Sequence, residues 1–304
     1  MAAKPRRDDR DFTRLVDDRF PGLVARVRGL IEKAEKAFGG KGGENGASFL
    51  WEHTVHVASF ALRIARRERR DPLPAVLTAL FHDAGKFRRG RYHAGRAPEE
   101  AAAARIARGT LRGAGAPARL VAEVAAALEA LYNERRMRRP AADIVHDADF
   151  LAKAGTLGVA HFFVKSTLRG RTLSGAVATT LSKELTYAAV LPLNMRTDAG
   201  RALARTRSRE TLRFFRRFLA EINEAAPPGF RLVMLRVPRT PILFGKLSRV
   251  SPEFIRVRLV VPAACDRCGG RVRRYEHNIE RGVKCRELVI SIKCRRCGTV
   301  SEVS

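Results

Sequence analysis

Side chains that bind metals stand in this chain where apolar ones would be expected. His53 lies in "WEHTVHVA", His82 and Asp83 sit side by side in "LFHDAGK", and Asp147 and Asp149 alternate in "HDADFL". Neutral imidazoles with carboxylates form a donor set suited to a divalent transition metal that keeps a position open for water. A carboxylate among residues such as Leu80 and Phe81 is costly to bury unpaired, and a divalent cation offsets that cost. A second donor set has a different chemistry. All five cysteines fall between Cys265 and Cys297, and four form "CDRC" (Cys265, Cys268) and "CRRC" (Cys294, Cys297), with 25 residues between the pairs. Each pair makes a tight knuckle that aims two sulfurs inward, and two knuckles complete the tetrahedral thiolate shell of a structural zinc. Such a shell is closed, so it serves folding and presentation, not catalysis. Cys285 is left over as a small residue near the core of that module.

The elements that must carry the first donor set are helices. Leu15, Val16, Leu23, Val24, Val27, Leu30 and Ile31 recur at helical spacing, with Pro21 as a break or start, and "GGKGGENGAS" reads as a loop. From Ser48 a long helix is expected, because Leu50, His53, Val57, Phe60, Ala61 and Ile64 recur three or four apart, which turns His53 inward. The next helix follows "RRDPLP" and is expected to stop at Gly85, with His82 and Asp83 at its end. Further helices are expected near 98–109, 117–132, 143–167, 174–191 and 197–223. After "NEAAPPGF" the texture changes to "RLVMLRV", "FIRVRLVV" and "ELVISIK", which read as strands. The expected organisation is therefore an amino-terminal helix and Gly-rich loop (1–47), a helical domain (48–225) and a small β-rich module (231–304).

The ordered set "WEHTVHVA", "LFHDAGK" and "DADFL" resembles the HD superfamily of metal-dependent phosphohydrolases. The stretch "LSKELTYAAVLPLNMRTDAGRALARTRSRETLRFFRRFLAEI" is similar to the carboxy-terminal helices of a bacterial and archaeal branch of it, so the resemblance runs over roughly residues 10–225. It implies a mainly α protein, an all-helical HD bundle followed by a β-rich zinc ribbon. It also implies His53, His82, Asp83 and Asp149 as ligands of one divalent metal (manganese, iron, cobalt, nickel or zinc), with Asp149 matching the "ADxL" pattern and Asp147 as a fallback. His56 and His146 match no ligand position and take structural or supporting roles. Lys86 falls on the "HDxGK" lysine and is expected to hold a substrate phosphate, helped by Arg88, Arg89 and His93 of "FRRGRYHAGR". Asp83 is expected to orient a metal-activated water or take its proton. His93 is the only histidine between the HD pair and "HDADFL", and Leu131 stands where the branch often has a histidine, which implies one metal and not two.

Charge points to the partner. The chain holds 59 Lys and Arg against 31 Asp and Glu, a net +28, which suits a polyanion. Arg267, Arg271, Arg273, Arg274, Arg281, Lys284, Arg286, Lys293, Arg295 and Arg296 crowd the cysteine module, which looks like a zinc ribbon. RNA or DNA is one expected partner of this module and a protein surface the other, since Tyr275 is the only Phe, Trp or Tyr between Cys265 and Cys297 for stacking. No apolar run is long enough to span a bilayer, and "MAAKPRRDDRDF" has no signal-peptide core, so a cytoplasmic location and no membrane partner are expected. The favoured function is a phosphohydrolase acting on a phosphomonoester or phosphodiester of a nucleotide-like or nucleic-acid-end substrate. The alternative is a non-catalytic nucleic-acid or ribonucleoprotein-binding protein in which the HD site is structural.

Overall fold

The computed structural model describes residues 11–37, 48–86, 99–131, 139–168 and 171–225. From the carboxy-terminal region it describes 232–236, 240–241, 254–255, 258–262, 264–265, 267–270, 272–281 and 286–303. The helices are α1 (Phe12–Asp17), α2 (Leu23–Ala37), α3 (Phe49–Arg67), α4 (Pro72–Phe81), α5 (Glu99–Gly113), α6 (Ala118–Ala130), α7 (Pro140–Ala152), α8 (Gly155–Leu168), α9 (Leu173–Asn194) and α10 (Asp198–Ala225). The strands are β1 (Leu232–Arg236), β2 (Thr240–Pro241), β3 (Phe254–Ile255), β4 (Arg258–Pro262), β5 (Val272–Arg281), β6 (Arg286–Cys294) and β7 (Val300–Val303). The fold is mainly helical, as expected. Contacts divide it into two compact units, Met1–Ala152 with Met195–Arg201, and Lys153–Asn194 with Ala202–Ser304. The change from helix to strand after Ala225 falls inside the second unit.

In the first unit α4 is central. Asp71 caps it by accepting from the Leu73 amide at 3.0 Å, and Pro72 starts it without an amide to satisfy. Every residue from Leu73 to Phe81 is buried, because α3, α6 and α7 pack around the helix. A helix enclosed this way needs apolar residues on all faces, which "LPAVLTALF" supplies. α3 begins where the sequence places it. The Ser48 hydroxyl accepts from the Trp51 amide at 3.1 Å, and Glu35 of α2 accepts from the Leu50 amide at 3.3 Å and from the Ser48 hydroxyl itself. Its buried stripe holds Leu50, His53, Val57, Phe60, Ala61 and Ile64.

Two boundaries differ from expectation. α4 ends at Phe81, not at Gly85. The glycine serves a close approach: a Cβ there would lie 2.4 Å from the Glu99 carbonyl oxygen and 2.9 Å from the Ala103 amide nitrogen of α5. The single helix expected over 143–167 is two, α7 and α8, broken before Gly155, whose φ of 77° suits glycine. The break is held from α10: the Gly155 amide donates to Thr211 Oγ1 at 2.7 Å, and Arg207 donates to the Ala154 carbonyl at 2.6 Å.

The strands expected from "FIRVRLVV" and "ELVISIK" form, and they lie in separate sheets. β4 pairs antiparallel with β1 (Leu232 opposite Pro262), while β6 lies between β5 and β7 in a three-stranded antiparallel sheet. β5, "VRRYEHNIER", is too charged to stand out as a strand, yet it directly precedes β6 and forms a hairpin with it, the pairing with the shortest loop to close.

Candidate metal centre

Three helices packed against one another bring the first donor set together. α3 contributes His53 from its buried stripe, the end of α4 contributes His82 and then Asp83, and α7 contributes Asp149, and each of these helices touches the other two. His53 Nε2 lies 2.9 Å from Asp149 Oδ1, across 96 residues of sequence. His82 Nε2 lies 3.9 Å from the same oxygen and 3.5 Å from Asp83 Oδ2, which is 4.0 Å from His53 Nε2. Ligand atoms of His53, His82 and Asp149 all fall within 4.8 Å of one another.

The state of His82 tests whether a cation fits. Its Nδ1 is 2.7 Å from the Ala79 carbonyl, an acceptor, so Nδ1 carries the proton and donates it. Nε2 is then a bare lone pair. It is buried without a hydrogen-bond partner, and the groups nearest it are carboxylate oxygens, which are also acceptors. Acceptors facing acceptors in a buried pocket are reconciled by a metal ion, and the backbone bond to Nδ1 is the usual device for orienting a ligating imidazole. The donors therefore fit a divalent metal.

Asp83 sits at the open edge, its side chain 14% exposed, and Lys86 Nζ lies 2.7 Å from its Oδ2. Burial acts to raise the Asp83 pKa, but His82, Lys86 and His53 outweigh burial and the opposing Asp149 and hold the carboxyl far below its usual range. Asp83 is ionised at any physiological pH. Arg88, Arg89 and His93 lie outside the described residues.

Asp147, the fallback ligand, belongs to a different arrangement. It is fully buried and accepts four hydrogen bonds: Oδ1 from the Arg196 amide (2.8 Å) and His146 Nδ1 (3.0 Å), Oδ2 from the Thr197 amide (2.8 Å) and hydroxyl (2.7 Å). Thr197 in turn caps α10 by accepting from the Gly200 amide at 2.9 Å. Asp147 thus anchors the start of α10, and Gly200 is needed because a Cβ would meet its Oδ2. The Arg196 guanidinium adds bonds to the Leu131 carbonyl (3.3 Å) and Asp143 (3.2 Å), so Leu131 is a wall residue whose backbone takes a bond. The sequence signal for this anchor was "RTDAG", a threonine cap before a helix; its carboxylate partner has no local signature. His146 is buried against Phe150, with ring centroids 4.8 Å apart, and His56 is half-buried outside the ligand cluster.

Residues 50–154 match the family model described as HD domain. The match falls on α3 to α7 of the first unit. The match spans His53, His82, Asp83 and Asp149; an HD domain implies a divalent metal, and buried His53, His82 and Asp149 could bind it. Solved structures similar to the chain include a predicted HD superfamily hydrolase from an uncultured Thermotogales bacterium (25% identity, 69% of this chain and 98% of that one, TM-score 0.47). Others are YpgQ from Bacillus subtilis (21%, 66% and 94%, 0.49) and an HD-superfamily hydrolase from Bacillus thuringiensis (19%, 66% and 98%, 0.47). No curated protein matches the chain.

The cysteines form a second centre, in the other unit. The knuckles share one hydrogen-bond pattern: Cys265 N donates to Gly270 O and Gly269 N to Cys265 O, both at 2.8 Å, while Cys294 N donates to Thr299 O (2.8 Å) and Gly298 N to Cys294 O (3.0 Å). Gly269 and Gly298 occupy the same place in each, with φ of 67° and 73°. The Cys265 and Cys297 sulfurs are 3.7 Å apart and those of Cys268 and Cys294 3.6 Å. Tetrahedral Zn–S bonds of about 2.3 Å place sulfurs about 3.8 Å apart, so the cluster fits zinc. The Thr299 hydroxyl and amide draw the Cys297 thiol down to about 6. The Gly270 amide also favours the Cys268 thiolate, but the crowded sulfurs of Cys297, Cys294 and Cys265 outweigh it and push this thiol up to about 12. The four sulfurs at this spacing could hold a zinc ion. Cys285 lies outside the described residues. Among the described residues no helix is long and apolar enough to cross a membrane.

Proposed function

We propose that the chain is a metal-dependent phosphohydrolase acting on a phosphomonoester or phosphodiester of nucleotide or nucleic-acid-end type, with the basic cysteine module bringing substrate or a partner. The observation that carries this reading is the buried, unpartnered Nε2 of His82 facing two carboxylates. A divalent metal held by His53, His82, Asp83 and Asp149 would supply Lewis-acid polarisation of a phosphoryl oxygen and lower the pKa of water. The protein side chains do the rest. Asp83, ionised at the open edge, accepts a hydrogen bond from the attacking water and orients it. Lys86, 19% exposed beside it, meets the phosphoryl oxygens as a point charge, and releasing Asp83 to do so frees that carboxylate for the water. His53 and Asp149 fix each other across the pocket, and the Ala79 carbonyl sets the His82 ring.

The test combines metal analysis with a panel of phosphomonoesters, phosphodiesters and nucleic-acid ends, using protein loaded with manganese, cobalt, nickel or iron, in wild type and Asp83→Ala. Metal-dependent hydrolysis of at least one substrate, lost in the variant, is expected. Failure of every loaded form on every substrate would sink the enzyme reading and leave a binding protein with a structural HD site.

A further inference from the structure

The second unit carries a cationic surface that neither donor set uses. Along α10, Arg205, Arg209, Arg213, Arg216 and Arg217 are all exposed, while Ala204, Ser208, Phe215 and Leu219 are buried on the opposite side. At 3.6 residues per turn the five arginines fall within about 120° of arc and extend over about 18 Å of helix. Between Arg201 and Arg217 the only acidic residue is Glu210, and a Cβ on Gly155 would lie 3.1 Å from its carboxylate, which places that charge beside Gly155. Arg217 pairs with Glu221 at 2.9 Å. Among the described residues no ion pair joins Arg205, Arg209, Arg213 or Arg216 to a carboxylate. Arginines four apart on one helix face repel one another and weaken the helix. A ridge built from three such steps, 205 to 209 to 213 to 217, keeps that repulsion unless an anion covers it.

Beside the ridge stands an aromatic ring. Phe214 is 37% exposed, one step round the helix from Arg217, and stacks on Phe218 with ring planes 24° apart and centroids at 5.8 Å. An exposed ring supported from behind, next to a line of guanidinium groups, is the combination that holds a single strand: cations follow the phosphates and the ring takes a base. A lipid surface fits less well, because the apolar side of α10 is spent on the core of Val159, Phe162, Leu181, Leu185, Phe215 and Leu219 and has nothing left to insert.

We propose that the Arg205–Arg217 face of α10 binds single-stranded nucleic acid through its phosphates, with Phe214 stacking on a base. None of its residues belongs to the cysteine module or to the metal centre, so it stands whether or not either of them acts as proposed above.

The experiment measures fluorescence anisotropy of a labelled single-stranded RNA 20-mer titrated with the full chain between 50 and 200 mM salt. Three proteins are compared: wild type; Arg205→Gln, Arg209→Gln, Arg213→Gln, Arg216→Gln combined; and a control with the same charge loss at exposed Arg26, Arg67, Arg70 and Arg112. Glutamine keeps helix propensity and relieves the repulsion, so the ridge variant should fold at least as well as wild type, checked by thermal melting. Each phosphate contact contributes about 0.7 to the log–log salt slope, so losing four should flatten it by about 3 and remove about fifty-fold of the affinity change between 50 and 200 mM. At 150 mM a loss of tenfold or more is expected for the ridge variant, and less than threefold for the control. Phe214→Ala should weaken binding of the RNA by about fivefold or more and leave binding of a heparin fragment unchanged. Equal losses in the ridge variant and the control would show that net charge alone acts and would overturn the proposal. So would wild-type binding to phosphatidylserine vesicles or to an acidic protein with none to the RNA.

Discussion

Replacing each of the two aspartates of "HDADFL" by asparagine separates anchoring from metal binding. In Asp147→Asn one oxygen can still accept two bonds, but the amide group now faces two donors. If it lies where Oδ2 was, the Thr197 hydroxyl can turn round, and the Thr197 amide, which donated at 2.8 Å, is left without a partner. If it lies where Oδ1 was, the Arg196 amide loses its bond instead. An unsatisfied buried donor costs about 1–3 kcal/mol and each lost charge-assisted bond about 1.5–3 kcal/mol, while the cheaper burial of a neutral amide offsets part of this. A net loss of about 2–3 kcal/mol remains, which in a unit of this size lowers the melting midpoint by about 4–12 °C. In Asp149→Asn the amide can still meet His53, and repulsion with Asp83 is relieved, so metal-free stability should change by less than about 1 kcal/mol. The metal response should differ. Saturation at 100 times Kd stabilises wild type by about 2.7 kcal/mol, and that gain should survive in Asp147→Asn and vanish in Asp149→Asn. Thermal melts of chelator-stripped protein with and without manganese or nickel read both effects. A metal-induced shift that persists in Asp149→Asn and disappears in Asp147→Asn would refute the assignment of these two roles.

Three further outcomes follow from the same geometry. Gly85→Ala drives a methyl group to 2.4 Å from the Glu99 carbonyl, so α5 must shift at a cost of about 1–3 kcal/mol; amide exchange of α5 should quicken more than that of α6. Elemental analysis of the full chain should find one zinc held by the four cysteines, and Cys268→Ser should lose it without changing metal content at the HD centre. Burial pushes the His146 pKa down, and the Arg196 charge adds to that, against a raising contribution from the Asp147 hydrogen bond. The folded pKa therefore lies below the unfolded value of 6.5. The unfolded chain takes up the proton first, so this contribution is whole above pH 6.5 and declines as pH falls below it; His146→Asn should flatten stability between pH 6.5 and 5, measured by chemical denaturation.

Much of this protein was legible one residue at a time. The helical stripe of α3 turns His53 inward because 3.6-residue periodicity is a local property, and Ser48 starts that helix by capping it locally. The two CxxC knuckles are equally local, each closed by its own backbone bonds and a glycine at positive φ. What depended on distant contacts was less visible. Gly85 looked like a helix stop, yet its role is set by α5. The break before Gly155 is held by Thr211 and Arg207 from more than 50 residues away, and β5, highly charged, is a strand because β6 pairs with it. Asp147 and Asp149 are the sharpest case. Two residues apart on one buried helix and alike in chemistry, they differ only in what the fold sets opposite them: the amides that open α10 for Asp147, and two imidazoles for Asp149. Sequence determined which positions hold metal-donor side chains, because spacing and side-chain type are written in it. Only the tertiary structure decided which carboxylate faces which partner, because hydrogen bonds and ligand shells are completed by groups far apart in the chain.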